Sequence, residues 1–155
     1  MRRGQVPKRE VETDIKHQSA LVAKFINYIM RSGRKAIARR VVYGALENAE
    51  KKLSKNSLEI LEQVIRNAGP EQELRSRRIG GANYQIPYPV KPERRITLAL
   101  RWIIEGAKSK KGQPMADKLS QELIDAFNNT GVAVKRKTDT HRMADANKAF
   151  AHFAW

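Results

Sequence analysis

The stretch that most constrains this chain is residues 73–95, ELRSRRIGGANYQIPYPVKPERR, the one convincing strand–turn–strand pattern in it. Gly80-Gly81 supplies the positive φ angles that a two-residue hairpin turn needs. Pro87, Pro89 and Pro92 lie on the second arm or just past it. A proline has no N–H to give to a ladder, so that arm can only be the edge of a small sheet. Closing the turn at Gly80-Gly81 pairs Ile79 with Ala82, Arg77 with Tyr84, Arg75 with Ile86 and Glu73 with Tyr88 on one face. Arg78, Asn83, Ser76 and Gln85 share the other. Neither face is a clean hydrophobic layer. Arginine beside tyrosine on an extended ribbon suits phosphate binding and base stacking. The competing reading is a solvated hairpin packed by its aromatic side. A ribbon with both faces in nucleic acid would use Arg77 and Arg78 independently; one lying flat would use only one of them.

Away from the hairpin the apolar residues recur at helical spacing. Leu21, Phe25 and Ile29, beside Val22, Ile26 and Met30, make a broad face that Gly33 would end. A second helix runs from about Arg34 to Leu53, with Ile37, Val41, Ala45 and Ala49 among its inner residues. A third spans about 57–68, opened by an Asn56–Glu59 capping box and closed by Gly69-Pro70. Pro92 starts a fourth, whose wide apolar face, including Trp102, makes it central to the core. Pro114 opens a fifth, through Met115, Leu119, Leu123 and Phe127, and residues 128–131 end it. The last segment carries only a narrow stripe of Met143, Ala146, Ala149, Phe150 and Phe153, which places it at the periphery. The sum is a mainly α fold: a single helical domain of about six helices at 19–155, with one protruding two-stranded hairpin at 73–90. Residues 1–18 have no apolar period and read as a basic arm.

The charge narrows the function. Thirty-one Lys and Arg against sixteen Asp and Glu give +15 in 155 residues. Such a field attracts polyanions, nucleic acid first and an anionic membrane surface second. No apolar run is long enough to span a bilayer, and MRRGQVPKRE has no apolar core behind its basic residues, so no membrane partner and no secretory signal is expected. Like charge also argues against a homo-oligomer. The stretch from Leu46 to Glu73 is the exception at net −2, suited to solvent or a protein neighbour. The cations gather in five places. They are the arm (Arg2, Arg3, Lys8, Arg9), the start of the second helix (Arg34, Lys35), the hairpin, the 109–114 loop (Lys108, Lys110, Lys111) and the last helix (Lys135, Arg136, Lys137, Arg142). Basic side chains at a helix N-terminus oppose its dipole and make an anion site with it. With no cysteine, with His17, His141 and His152 dispersed, and with no phosphate-cradling glycine motif, the chain carries no catalytic or metal signature and needs no cofactor.

RSRRIGGANYQIP at 75–87, ALRWIIEGAK at 99–108, GRKAIARRVVYGALE at 33–47 and THRMADANKAFAHFAW at 140–155 resemble, in order, the bacterial-type small-subunit ribosomal protein seven family. The resemblance runs from about residue 18 onward. It departs from the commoner pattern at Tyr88, in the 109–114 loop and in the arm. It implies a non-enzymatic helical protein with a projecting hairpin that binds the 3′ major domain of small-subunit ribosomal RNA and nucleates assembly of the subunit head. The hairpin and final helix would lie near the messenger RNA exit channel and the exit-site transfer RNA, across a cleft from ribosomal protein eleven. Bacterial members can also repress their own operon. By the same resemblance the arm cations, Arg34, Lys35, Arg75, Arg77, Arg78, Arg94, Arg95, Lys108, Lys110, Lys111, Met115 and Lys118 would face ribosomal RNA. Gly80, Gly81, Asn83, Lys148 and His152 would lie nearer transfer and messenger RNA. The location implied is the ribosome, cytoplasmic or organellar. The alternatives are a DNA-binding module with the hairpin as a wing beside a recognition helix, and a subunit of an RNA-modifying enzyme.

Overall fold

Several helices begin where the sequence supplies a reason, and most bury the stripe their spacing defines. The computed structural model describes residues 11–153. The helices are α1 (Ala20–Ile29), α2 (Lys35–Leu53), α3 (Ser57–Ala68), α4 (Pro92–Ser109), α5 (Met115–Phe127) and α6 (Gly131–Ala146), and a 3-10 segment follows at Lys148–Phe153. Between α3 and α4 the strands β1 (Gln72–Ile79) and β2 (Ala82–Pro89) form a two-stranded antiparallel sheet. Ser19 caps α1 by accepting from the Leu21 N–H, and Asn56 caps α3 by accepting from the Leu58 N–H at 3.0 Å. Pro92 occupies the first turn of α4, where its missing N–H costs nothing.

Val22, Phe25 and Ile26 of α1, Val42 and Leu46 of α2, Leu61 and Val64 of α3, Leu100 and Ile103 of α4, and Leu119 and Leu123 of α5 form one continuous core. Trp102 belongs to it, as expected. Helix α5 shares the central place with α4: it packs on α2, α3, α4 and α6. Ile37 departs from its stripe and is 54% exposed, at the exposed start of α2. Among the described residues, no helix is long and apolar enough to cross a membrane.

Two expectations for the last segment change, while Gly69 closes α3 as expected, with extended backbone at φ −75°. Its lack of a side chain matters for space: a Cβ there would lie 2.7 Å from the Ile65 carbonyl and 2.8 Å from Arg95 Cγ. The basic last segment is not one helix, since α6 stops at Ala146 and the chain tightens into the 3-10 segment. Nor is it peripheral. Helix α6 packs on α3, α4 and α5 with one side and on both strands with another. Its inward residues, Ala133 and Ala144, are small. Close helix approach needs little apolar surface from such residues, so a stripe count undervalues it. Met143, placed on the apolar stripe by its spacing, is 48% exposed.

Residues 14–19 are also less arm-like than their composition suggests. Asp14 is buried, and the turn that follows it is folded back on α2. The arm cations Arg2, Arg3, Lys8 and Arg9 lie outside the described residues.

Candidate nucleic-acid interface

The hairpin register is the one the Gly-Gly turn dictates. Ile79 pairs with Ala82, Arg77 with Tyr84, Arg75 with Ile86 and Glu73 with Tyr88. Gly80 at φ +56° and Gly81 at φ +89° form the turn, and a Cβ on either would meet nothing. The glycines serve backbone conformation alone.

The two faces differ more than their residue types foretell. On the face of Glu73, Arg75 and Arg77 every group is engaged within the chain. Glu73, only 12% exposed, accepts from Arg75 at 2.6 Å and from Arg94 at 3.1 Å. Burial works against its charge, but those two guanidinium groups outweigh it and hold the carboxyl below its ordinary value. Arg75 also lies over the Tyr88 ring at 5.0 Å. Arg77 Nη1 donates to the Phe153 carbonyl at 3.1 Å. Tyr84 packs against Phe150 and Phe153, with ring centroids at 5.1 and 6.1 Å, and Ile86 is fully buried. The aromatic side therefore packs on the chain itself. Arg78, Asn83, Ser76 and Gln85 stand exposed on the opposite face, where Arg78 has no ionic partner among the described residues.

The remaining cations divide the same way. Arg34 and Lys35 are exposed at the α2 N-terminus, which has no side-chain cap and whose first N–H, that of Lys35, donates to the Gly33 carbonyl at 2.8 Å. Lys108, Lys111 and Lys135 are exposed and carry no ion pair among the described residues. Lys118 and Met115 are half-buried on the first turns of α5. Lys110 turns inward, 3.1 Å from Glu122 Oε2 and 2.7 Å from Asp125 Oδ2. Arg95 donates from Nε to the Gly69 carbonyl at 3.2 Å. Lys137 Nζ donates to the Asn67 carbonyl at 2.9 Å; burial, then the nearby Arg95 charge, pulls its pKa below the ordinary lysine value. Arg136 pairs with Glu105 at 3.0 Å and Arg142 with Asp139 at 3.4 Å, both near the surface. Lys148 and His152 are exposed on the 3-10 segment, His152 with its ring 3.9 Å from that of Phe153. Among the described residues no three histidine or carboxylate side chains converge to hold a metal.

Sequence reasoning missed the carboxylates that organise these cations. Glu122, with no exposure at all, accepts from the Ala133 N–H at 3.0 Å and so caps α6, whose own Thr130 makes no side-chain cap bond. Gly106 makes room for it: a Cβ there would sit 2.7 Å from the Glu122 carboxyl. Asp14 accepts from the Tyr43 hydroxyl at 2.7 Å and from the N–H groups of Lys16 and His17 at 3.2 Å. A glutamate at an apolar helix position, four residues after Lys118 and next to Leu123, was the only available signal for Glu122. Asp14 gave none.

A family model described as ribosomal protein S7p/S5e matches residues 1–148. A curated relative named small ribosomal subunit protein uS7, from Chloroflexus aggregans, is 53% identical over 152 residues, covering 98% of this chain and 97% of its own. Proteins of the same name from Thermosipho africanus and Thermotoga maritima are 53% and 51% identical over 155 residues, covering both chains completely.

Proposed function

The chain belongs to the ribosomal protein S7p/S5e family, a structural and non-enzymatic component of the small ribosomal subunit, and we propose how it serves there. It binds the 3′ major domain of small-subunit ribosomal RNA and nucleates assembly of the head of the subunit in the cytoplasmic ribosome. The hairpin tip, with Gly80, Gly81 and Asn83, lies beside the exit-site transfer RNA and the messenger exit channel, close to ribosomal protein eleven. Lys148 and His152 flank that region. The observation that carries this reading is full-length similarity to small-subunit proteins combined with a set of outward cations. These are Arg34, Lys35, Arg78, Lys108, Lys111 and Lys135, exposed and without ionic partners among the described residues. A charge of +15 supplies the attraction, and these positions supply the phosphate contacts. Arg75, Arg77, Arg94, Arg95, Lys110 and Lys137 support the binding surface from within: their bonds to carboxylates and carbonyls hold the hairpin, the α4 start and the loop in place.

The test is chemical footprinting of the purified protein on small-subunit ribosomal RNA, with duplex DNA as competitor. Protection confined to the 3′ major domain and resistant to excess duplex DNA is the expected result. Protection that duplex DNA abolishes at equal concentration would favour the DNA-binding alternative and overturn the proposal.

A further inference from the structure

A two-stranded ribbon is marginal on its own in water, yet this one must hold a defined direction if its tip is to meet a partner. Its residues lie apart from the helical core: neither Tyr84 nor Ile86 belongs to the continuous cluster of the helices. Among the described residues α6 and the 3-10 segment pack along the ribbon, and α4 reaches its base through the Arg94–Glu73 ion pair. The 3-10 segment in turn packs on β2 and the end of α6 and meets Arg77 of β1 through its Phe153 carbonyl. It buries no residue fully, so it adds little to the helical core itself. What it offers is a lid over one face of the hairpin: Phe150 and Phe153 on Tyr84, and the Phe153 carbonyl on Arg77.

We propose that the 3-10 segment Lys148–Phe153 sets the direction of the hairpin, and that Phe150, through Tyr84, is its principal positioning residue. The inference deepens the RNA-binding reading and rests on it only for its consequence, since the mechanical part concerns this chain alone. Phe150 holds the Tyr84 ring from one side while α6 holds β1 from beneath. With both in place the exposed row of Ser76, Arg78, Asn83 and Gln85 points one way. Without Phe150 the ribbon pivots on its base at Glu73, where Arg75 and Arg94 still hold it.

The experiment is Phe150→Ala, with Phe150→Tyr as the rescue, read by amide hydrogen exchange and by RNA footprinting. Losing an aromatic pair should raise exchange of the hairpin amides on the order of tenfold, with exchange in α1 to α5 unchanged. RNA protection near the hairpin tip should fade while protection elsewhere persists, and Phe150→Tyr should restore both. Unchanged hairpin exchange in Phe150→Ala would overturn the proposal, as would faster exchange throughout the helices, which would make Phe150 part of the core. If the wild-type protein protects no RNA, the functional reading falls and the exchange data still decide the mechanical one.

Discussion

Arg77 and Arg78 are neighbours in sequence and opposites in circumstance, which makes their separate replacement by alanine a direct probe of how the hairpin meets RNA. Strand alternation sends them to different faces. Arg78 faces solvent beside Asn83, whereas Arg77 is half-buried with a donor on the Phe153 carbonyl. Each phosphate contact contributes about 0.7–0.9 to the slope of log affinity against log salt. Raising salt about fourfold then costs roughly threefold in affinity per contact. Arg78→Ala should therefore flatten the slope by about one contact. Arg77→Ala should leave the slope at its wild-type value. Its effect should fall instead on hairpin amide exchange, because the bond to the 3-10 segment is lost. The double variant should show the slope of Arg78→Ala alone. The assay is RNA affinity over a salt series from about 50 to 200 mM for the wild type, both single variants and the double. A slope for Arg77→Ala as low as that for Arg78→Ala, with the two effects adding in the double, would mean that Arg77 leaves Phe153 to reach phosphate. The covered face would then open on binding, and the reasoning from its internal contacts would fail.

Three further expectations follow from buried or outward charge. Lys135→Ala should weaken RNA binding with an unchanged melting temperature, while Lys137→Ala should lower the melting temperature and leave the salt slope alone; thermal melts and salt series on both variants separate the two. Gly106→Ala would add helix propensity in an ordinary helix, about 1 kcal/mol, but its Cβ meets the Glu122 carboxyl at 2.7 Å, so a net loss of about 1–3 kcal/mol is expected in denaturant unfolding, and a gain would refute the contact. Burial raises the Asp14 pKa, but the Tyr43 hydroxyl and the Lys16 and His17 amides lower it further, so folded Asp14 titrates below its ordinary 3.8; its stabilisation is complete above that value and lost as pH falls through the folded pKa, and Asp14→Asn should flatten the acid limb of a melting temperature versus pH curve.

Regular structure and local turn chemistry were legible in the sequence because their signals are local. Two adjacent glycines between arms of matching length specify a turn and hence a register, which the pairing of Ile79 with Ala82 bears out. The stripes of α1, α3 and α4 are wide enough to declare their buried faces. What stayed hidden depends on contacts between distant segments. Helix α6 looked peripheral because it reaches the core through alanines and has its N-terminus capped by Glu122 from α5. A hairpin packed by its aromatic side was one of the readings the sequence allowed, but what covers Tyr84 could not be read, because it depends on where the chain turns after Ala146. For the same reason a list of cations made from sequence mixed two populations. Lys110 and Lys111 are adjacent in one basic loop, yet Lys110 closes an ion pair with fully buried Glu122 and Lys111 is exposed.

That division follows from electrostatics. In a chain of +15 an inward carboxylate always has cations within reach, and burying it unpaired would be costly. Glu122 draws Lys110 from the end of α4 while capping α6, so one carboxylate fixes the ends of two helices relative to α5. Glu73 draws Arg75 from its own strand and Arg94 from the first turn of α4, joining the base of the hairpin to the helical body. Asp14 uses a phenol and backbone amides instead, and fixes the turn at residues 15–17 to α2. Each inward carboxylate thus lies where a basic segment joins the helices. The cations it takes are held in ion pairs within the chain, while Arg34, Lys35, Arg78, Lys108, Lys111 and Lys135 are exposed without ionic partners among the described residues. A glutamine at position 122 separates this account from one in which every lysine of the loop simply contacts RNA. It keeps an acceptor for the Ala133 N–H and removes one of the two carboxylate charges that hold Lys110, leaving Asp125 at 2.7 Å. If the account holds, Glu122→Gln lowers stability and loosens the 109–114 loop in hydrogen exchange, and Lys110, still paired with Asp125, leaves the salt slope of RNA binding unchanged or steeper. A shallower slope would show that Glu122 had been presenting Lys110 to phosphate all along.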